Sequence, residues 1–374
     1  MRLNIPGKGI GFVIEVPLGV IFSREKTMTA PDEVVKKRPT IYDLAHLTGS
    51  SATAVSAVLN GSWKKRRISE RLALKIIETA KEQGYAVNLQ ASALRRERSN
   101  IVGMIVPKYD NRYFGAMAER FEAVARSHGL FPVITCTQRD PNLELQAAQA
   151  LISYQVDYLV VTGATKPDRV SKLCAVAGVR SINLDLPGTI TASVTSDNFE
   201  GARQLTHLII DRVVSDLGYK GPLLFIGGRS SDHNTKERIR GFLEAHRERG
   251  IPVTEENIIA SDYDPEKVEA TLEARRSNLP LGFFVNSTIA LEGVVRWINR
   301  VFPKNHGKIR YGCFDYDSFA ALLPENVGMI EQDVEGMLTK TFELIENRTA
   351  SKEHFLIPCI LHAISNEYDT SDSN

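Results

Sequence analysis

The chain has 374 residues, is 43% apolar and 24% charged, and carries a net charge of +1. That balance fits a soluble globular protein of two or three domains and excludes a disordered or collagen-like chain. Cys136, Cys174, Cys313 and Cys359 are scattered with no C-x-x-C pair, which excludes a zinc knuckle and a disulfide framework and leaves four thiols of a reducing compartment. No run of ~18 apolar residues is present to span a membrane. The stretch 10–22 is interrupted by Glu15 and Pro17 and has no small-residue cleavage site, unlike a secretory signal, so the chain reads as cytoplasmic. Its charge is uneven: residues 36–98 hold 13 Lys/Arg against 5 Asp/Glu, and the remainder holds 33 against 40. A small basic segment on a large acidic body predicts a polyanion bound at one end.

Residues 1–37 show no helical or strand period. They read as an extension, either disordered or the product of an early start codon, with Met28 as the alternative start. Residues 38–87 then spell three short helices. Thr40 is an N-cap with Asp43 in the first turn; Ile41, Leu44 and Ala45 follow at helical spacing, and Gly49 permits a sharp turn. Ser51 caps a second helix with the stripe Val55, Val58, Leu59, stopped by Asn60-Gly61. Ser69 caps a third, which ends at Gly84-Tyr85. This is the helix-turn-helix plan, with the second helix entering the major groove. The expected exposed face of that helix is small and polar: Ser51, Ala52, Thr53, Ser56 and Ala57. Small residues allow close approach to base edges, and hydroxyls reach phosphates.

Thr40-Ile41-Tyr42-Asp43-Leu44-Ala45, Gly49, Ser51, Val55-Ser56, Val58-Leu59-Asn60-Gly61, Ile68-Ser69, Gly84-Tyr85 and Asn88 together resemble the headpiece of the lactose/galactose repressor (LacI) family. The resemblance implies that Ala52, Thr53 and Ala57 read bases, that Ser51, Ser56 and Asn60 approach the backbone, and that Thr40 and Tyr42 belong to the same DNA-facing set. Alanine at position 57, where the family often has arginine, removes a bidentate guanine contact and predicts an altered half-site. The insertion Ser62-Trp63-Lys64-Lys65-Arg66-Arg67 resembles the fructose repressor (catabolite repressor–activator) branch; its four cations would grip phosphates. Residues 88–99 are similar to the family's hinge helix, in which Asn88 and Leu94 would meet the minor groove, Leu94 as a wedge. Val87 stands where the family usually has proline, so the linker is less stiff. So short a helix forms only with DNA and a second subunit present.

From residue 100 to 365 the pattern alternates. Strands are expected over 101–106, 132–137, 158–162, 181–184, 222–226, 282–285 and 310–314. Helices are expected over 114–127, 143–154, 169–177, 199–211, 235–248, 265–274, 289–300 and 335–345. Such a chain predicts an α/β fold with parallel sheets covered on both faces, with ligands beyond the carboxyl ends of the strands. The body resembles the family's two-lobed periplasmic-binding-protein-type domain. By position, Phe114, Asp197, Arg238, Asn286 and Asp315 match its effector pocket, and Asn111 and Asn234 are added as polar residues just beyond expected strands. Arg238 lies in an Asn-x-x-x-Arg-x-x-Gly-Phe pattern, and Ser287 replaces the usual Asp. Amides and carboxylates against an aromatic ring suit a sugar or sugar phosphate.

The function implied is a sequence-specific DNA-binding transcription regulator, most simply a repressor, switched by that effector. Its partners would be a double-stranded operator and a second copy of itself, with a tetramer left open and no membrane or cofactor. Residues 366–374 are polar, carry no heptads and read as a disordered tail. A periplasmic sugar-binding protein is the alternative that the body permits and the headpiece opposes. A nicotinamide-dependent enzyme is excluded by the lack of a G-x-G-x-x-G after a strand, and H-E-x-x-H and G-x-S-x-G are also absent.

Overall fold

The computed structural model describes residues 38–85, 98–302, 307–347 and 352–364. Its contacts divide the chain into two units, Met1–Asn88 and Leu89–Asn374. In the first unit α1 spans Ile41–Thr48, α2 Ala52–Leu59 and α3 Glu70–Glu82. Each begins where a side chain satisfies an orphan amide. Thr40 and Asp43 form a reciprocal capping box, Ser51 Oγ accepts from Ala54 N at 3.1 Å, and Ser69 Oγ accepts from Leu72 N at 3.4 Å. Gly49 ends α1 at φ 65°, the left-handed geometry that a tight helix-to-helix turn requires. Leu44, Val55, Val58, Ala73 and Ile76 form the core, with Trp63 and Ile68 packed against it.

The second unit holds two six-stranded sheets. The first sheet contains β1 (Ile101–Val106), β2 (Phe131–Cys136), β3 (Tyr158–Thr162), β4 (Arg180–Leu184), β5 (Ser193–Ser196) and β11 (His354–Ile357), in the order β11-β5-β4-β3-β1-β2. The second contains β6 (Leu224–Ile226), β7 (Ile258–Ile259), β8 (Gly282–Val285), β9 (Arg310–Phe314), β10 (Asn326–Gln332) and β12 (Cys359–Ala363), in the order β12-β10-β9-β8-β6-β7. All pairings are parallel except that of β10 with β12. The helices are α4 (Arg112–Ser127), α5 (Pro141–Ser153), α6 (Pro167–Val176), α7 (Asn198–Leu217), α8 (His233–Glu248), α9 (Pro265–Ala274), α10 (Thr288–Val301) and α11 (Val334–Glu346).

The chain passes between the lobes three times. After β5 it enters α7, whose Ala202, Leu205 and Ile209 sit in the second lobe's core. After β10 it enters α11, whose Met337, Leu338 and Phe342 sit in the first lobe's core. After β11 it continues through Pro358 into β12. The first two crossings are near copies. Asp197 (φ −72°, ψ 79°) caps α7 through Glu200 N, and Asp333 (φ −71°, ψ 82°) caps α11 through Gly336 N.

Among the elements that depart from expectation, two do so for clear physical reasons. The predicted strand 222–226 shortens to Leu224–Ile226: Pro222 has no amide hydrogen, and Leu223 N donates instead to His246 Nε2 at 3.0 Å. β5, Ser-Val-Thr-Ser, has the composition of a loop and lies outside the expected strands, yet all four residues are buried. Its hydroxyls are paired: Ser193 with Asn183, Thr195 with His354, Ser196 with Gln332.

Candidate functional site

At the carboxyl ends of the two sheets, side chains of both lobes converge. Asp185 follows β4 and Asp315 follows β9, each in the left-handed region, at φ 72° and 70°. These are matching places in the two lobes, and the backbone turn there aims each carboxylate off the end of its strand. Asp185 Oδ1 accepts from Tyr113 Oη at 3.1 Å and, across the lobes, from Asn234 Nδ2 at 3.0 Å. Arg238, 3% exposed, donates from Nε to Asn198 Oδ1 at 2.7 Å and from Nη1 to the Asn286 carbonyl at 2.6 Å. Its guanidinium lies 3.6 Å from the centre of the Phe314 ring and 4.0 Å from Asp315 Oδ1.

Two relays tie this cluster to the first lobe crossing. Asp315 Oδ1 accepts from Gln332 Nε2 at 2.6 Å, and Gln332 Oε1 accepts from Ser196 Oγ at 2.8 Å. Asn198, bound to Arg238, donates Nδ2 to the Ser196 carbonyl at 3.0 Å. The result is a ring of contacts from Arg238 through Asn198, Ser196, Gln332 and Asp315 back to Arg238.

Burial dominates the electrostatics. It pushes Asp185 up to about 6, against the opposing pull of Arg139 and Arg238. Burial also raises Asp315, with Arg238 and Gln332 opposing. Tyr113 is raised well above the phenol range, first by burial and then by Asp185 and Asp315, so it remains a proton donor. Asn286 is fully buried, and neither its Nδ2 nor its Oδ1 has a partner among the described residues; Asn234 Oδ1 is likewise unpaired. Gly228, at φ 78°, makes room for that amide: a Cβ there would collide with Asn286 Nδ2.

The seven residues expected around an effector do not all meet. Asn234, Arg238, Asn286 and Asp315 form the cluster. Phe114 is buried beside it, against Gly163. Asn111 is the N-cap of α4, its Oδ1 accepting from Tyr113 N at 2.9 Å. The Asp197 carboxylate caps α7, and the residue lines a side pocket with His233 and His354. Sequence reasoning missed Asp185, Asn198, Gln332 and Arg139. Asp185 directly follows an expected strand and is open to the strand-exit rule. Asn198 lies just beyond β5 and Gln332 ends β10, and neither strand is among those the sequence predicts.

In the headpiece, Ser51 and Thr53 are exposed on α2, while Ala52 and Ser56 are partly covered. Ala57 departs from expectation: it is 4% exposed and forms part of the buried side of α2. The chain after Asn60 turns back over it, with Ser62 N donating to the Ala57 carbonyl at 2.9 Å. A base-reading role for the Ala57 methyl is therefore withdrawn. Asn60 Nδ2 donates to Ser56 Oγ at 3.2 Å, and Tyr42 is 74% exposed. Lys64, Lys65, Arg66 and Arg67 are all exposed on a hydrogen-bonded turn closed by Ile68 N to the Trp63 carbonyl at 3.1 Å, with Arg67 at φ 55°. Asn88 and Leu94 lie outside the described residues.

A capped three-helix headpiece with a cationic turn, followed by a two-lobed body with a polar cleft, defines the class of ligand-responsive DNA-binding regulators. Residues 102–321 match the periplasmic binding protein domain. The ribitol operon repressor of Klebsiella aerogenes is 60% identical over 193 residues, 52% of this chain and 72% of that protein. The fructose operon regulatory protein of Vibrio cholerae is 28% identical over 319 residues, 84% of this chain and 95% of that protein. Such a match is longer than the whole second unit and so reaches into the headpiece. The crystal structure of the lac repressor dimer bound to operator and an anti-inducer superposes with a TM-score of 0.72 at 19% identity, covering 87% of this chain and 98% of that one. The chain belongs to the lactose/galactose repressor (LacI) family of transcription regulators. Among the described residues, no helix is long and apolar enough to cross a membrane.

Proposed function

We propose that this chain is a cytoplasmic, homodimeric operator-binding repressor whose grip on DNA is set by a small sugar, polyol or sugar phosphate held between its lobes. Residues 38–87 form the reading head and 88–99 the hinge. Ala52 and Thr53 face the major groove, and Ser51 approaches the backbone. Thr40, Tyr42, Ser56 and Asn60 approach the sugar-phosphate backbone, and Lys64–Arg67 neutralise phosphates. Asn88 and Leu94 engage the minor groove. A two-fold dimer places two heads on a pseudo-palindrome; a tetramer would appear as a doubled mass in solution. The chain works as a binding switch rather than an enzyme. A pentitol operon is the first regulon to test, after the 60%-identical relative named for ribitol.

The observation that carries the effector half of this reading is the Asn286 amide, fully buried beside Arg238 with both polar atoms unpaired among the described residues. An unpaired buried amide is costly, and a ligand hydroxyl relieves it. Coupling follows from the ring through Ser196 and Gln332. A ligand that engages Arg238 or Asp315 pulls on side chains anchored at the lobe crossing and biases one lobe arrangement. If that arrangement parts the hinge helices, DNA affinity falls, and DNA weakens the effector by the same factor.

The test is selection of bound duplexes from a random DNA pool, with and without a panel of pentitols, sugars and sugar phosphates. The expected result is enrichment of one pseudo-palindrome that at least one compound shifts. No enrichment at low ionic strength would end the proposal.

A further inference from the structure

The segment after β2 is strained. Gln138 and Arg139 occupy the left-handed region in succession, at φ 51° and 58°, which non-glycine residues hold only when the surroundings impose it. Here Asp140 N donates to the Thr137 carbonyl at 2.9 Å, and Thr165 Oγ1 donates to the Arg139 carbonyl at 3.2 Å. The strained turn places the Arg139 guanidinium 5.6 Å from the centre of the Phe114 ring, in its own lobe, and 5.1 Å from that of Tyr263, in the other. Two aromatic rings thus hold the cation at the mouth of the cleft. Among the described residues the guanidinium makes neither a hydrogen bond nor an ion pair, although its charge reaches both Asp185 and Asp315.

The chemistry still open in the cleft is mixed. Hydrogen bonds within the protein reach only one oxygen of each of Asp185 and Asp315 among the described residues. With Asn286 Oδ1 and Asn234 Oδ1, four acceptor oxygens therefore lack a donor. Among the described residues the open donors include Asn286 Nδ2, the Thr235 hydroxyl, which can also accept, and the Arg139 and Arg238 guanidinium groups, the latter through Nη2, 4.0 Å from Asp315 Oδ1. A phosphate dianion offers oxygens that only accept, so it would face these four acceptors, two of them carboxylates. A hydroxyl both donates and accepts. An open-chain polyol or ketose brings several hydroxyls in one small molecule.

Building on the cleft as the effector site, we infer that Arg139 is a specificity-determining effector contact: it donates to the oxygens of an uncharged polyhydroxylated ligand whose hydroxyl protons go to Asp185, Asp315, Asn234 and Asn286. Because Arg139 stands between rings of opposite lobes, ligand held by it is held by the closed cleft.

The experiment is titration calorimetry on the full-length protein with ribitol, the other pentitols, the pentuloses and the 5-phosphates of each, alongside operator-binding assays. At least one uncharged probe binds, and its phosphate binds at least roughly tenfold more weakly, as expected for an anion brought to buried acceptors without donors. Arg139→Met weakens the uncharged probe roughly 10- to 100-fold, the range for a charge-assisted hydrogen bond, with an unchanged melting temperature. Arg139→Lys recovers part of the loss, which a purely structural role would not allow.

Tighter binding of a phosphate than of its parent overturns the charge class. Wild-type affinity in Arg139→Met overturns the residue assignment. Binding of no probe by a protein that still retains operator DNA overturns the inference while leaving the regulator reading intact. Failure to bind DNA at all ends that reading, and calorimetry still judges the inference.

Discussion

Asp185→Asn is the sharpest probe of the cleft, because it is nearly isosteric and keeps an oxygen to accept from Tyr113 and Asn234. Asparagine also tolerates the φ of 72° that this position requires. In the folded protein Asp185 is pushed from the ordinary 3.8 up to about 6, first by burial. Its folded-state pKa is therefore the higher one. The native state binds the proton more tightly, and stability present below pH 4 is lost as pH rises to about 6. Over that window the wild type loses about 3 kcal/mol from this group, at 1.36 kcal/mol per pH unit. The variant has no such charge. It should melt roughly 6–12 °C above wild type at pH 8, on the scale of ~2–4 °C per kcal/mol for a body this large, and at nearly the same temperature at pH 4. The assay is thermal unfolding by circular dichroism at both pH values, read as variant minus wild type so that other titrations cancel. A difference independent of pH, or a less stable variant at pH 8, would refute the account. The same variant should bind effector more weakly, since it replaces an acceptor oxygen by an amide donor.

Arg238→Ala removes the donor to Asn198 and the Asn286 carbonyl and breaks the ring at its charged member. It should abolish the effector response while operator binding by fluorescence anisotropy persists, with a stability loss of roughly 3–5 kcal/mol for a stranded Asp315. Neutral residues at Lys64, Lys65, Arg66 and Arg67 should lower the slope of log affinity against log salt by roughly 7 for a dimer with two heads on the operator, at ~0.9 per phosphate, if each cation meets one; an unchanged slope removes the turn from the interface. Thr40→Ala deletes one half of the α1 capping box and should cost about 1 kcal/mol, seen as a lower midpoint in urea unfolding of the headpiece signal.

How much is legible in the sequence depends on whether local chemistry or distant packing decides each element. The headpiece helices begin at Thr40, Ser51 and Ser69 because caps act within four residues. The strands over 101–106, 158–162, 282–285 and 310–314 sit where expected, since each is built on a short run of buried, mostly apolar residues. β5 and β11 are hidden because their stability comes from partners more than a hundred residues away: Thr195 needs His354, and Ser196 needs Gln332. Ala57 is misplaced for a related reason. Helical spacing correctly makes its face small, but the spacing does not show that the chain after Asn60 folds back onto the Ala57 carbonyl. The motif that leads to Arg238 has no counterpart for Arg139, whose position is set by two left-handed residues that no spacing rule anticipates.

The three passages between lobes carry a consequence for how the body can come apart. Each half is completed by a helix threaded in from the far side: α11 fills the first, α7 the second. Neither half is a contiguous stretch of chain, so severing the polypeptide between them would not release two independent modules. The body should behave as one interlocked folding unit, free to flex at its seams yet unable to shed either part.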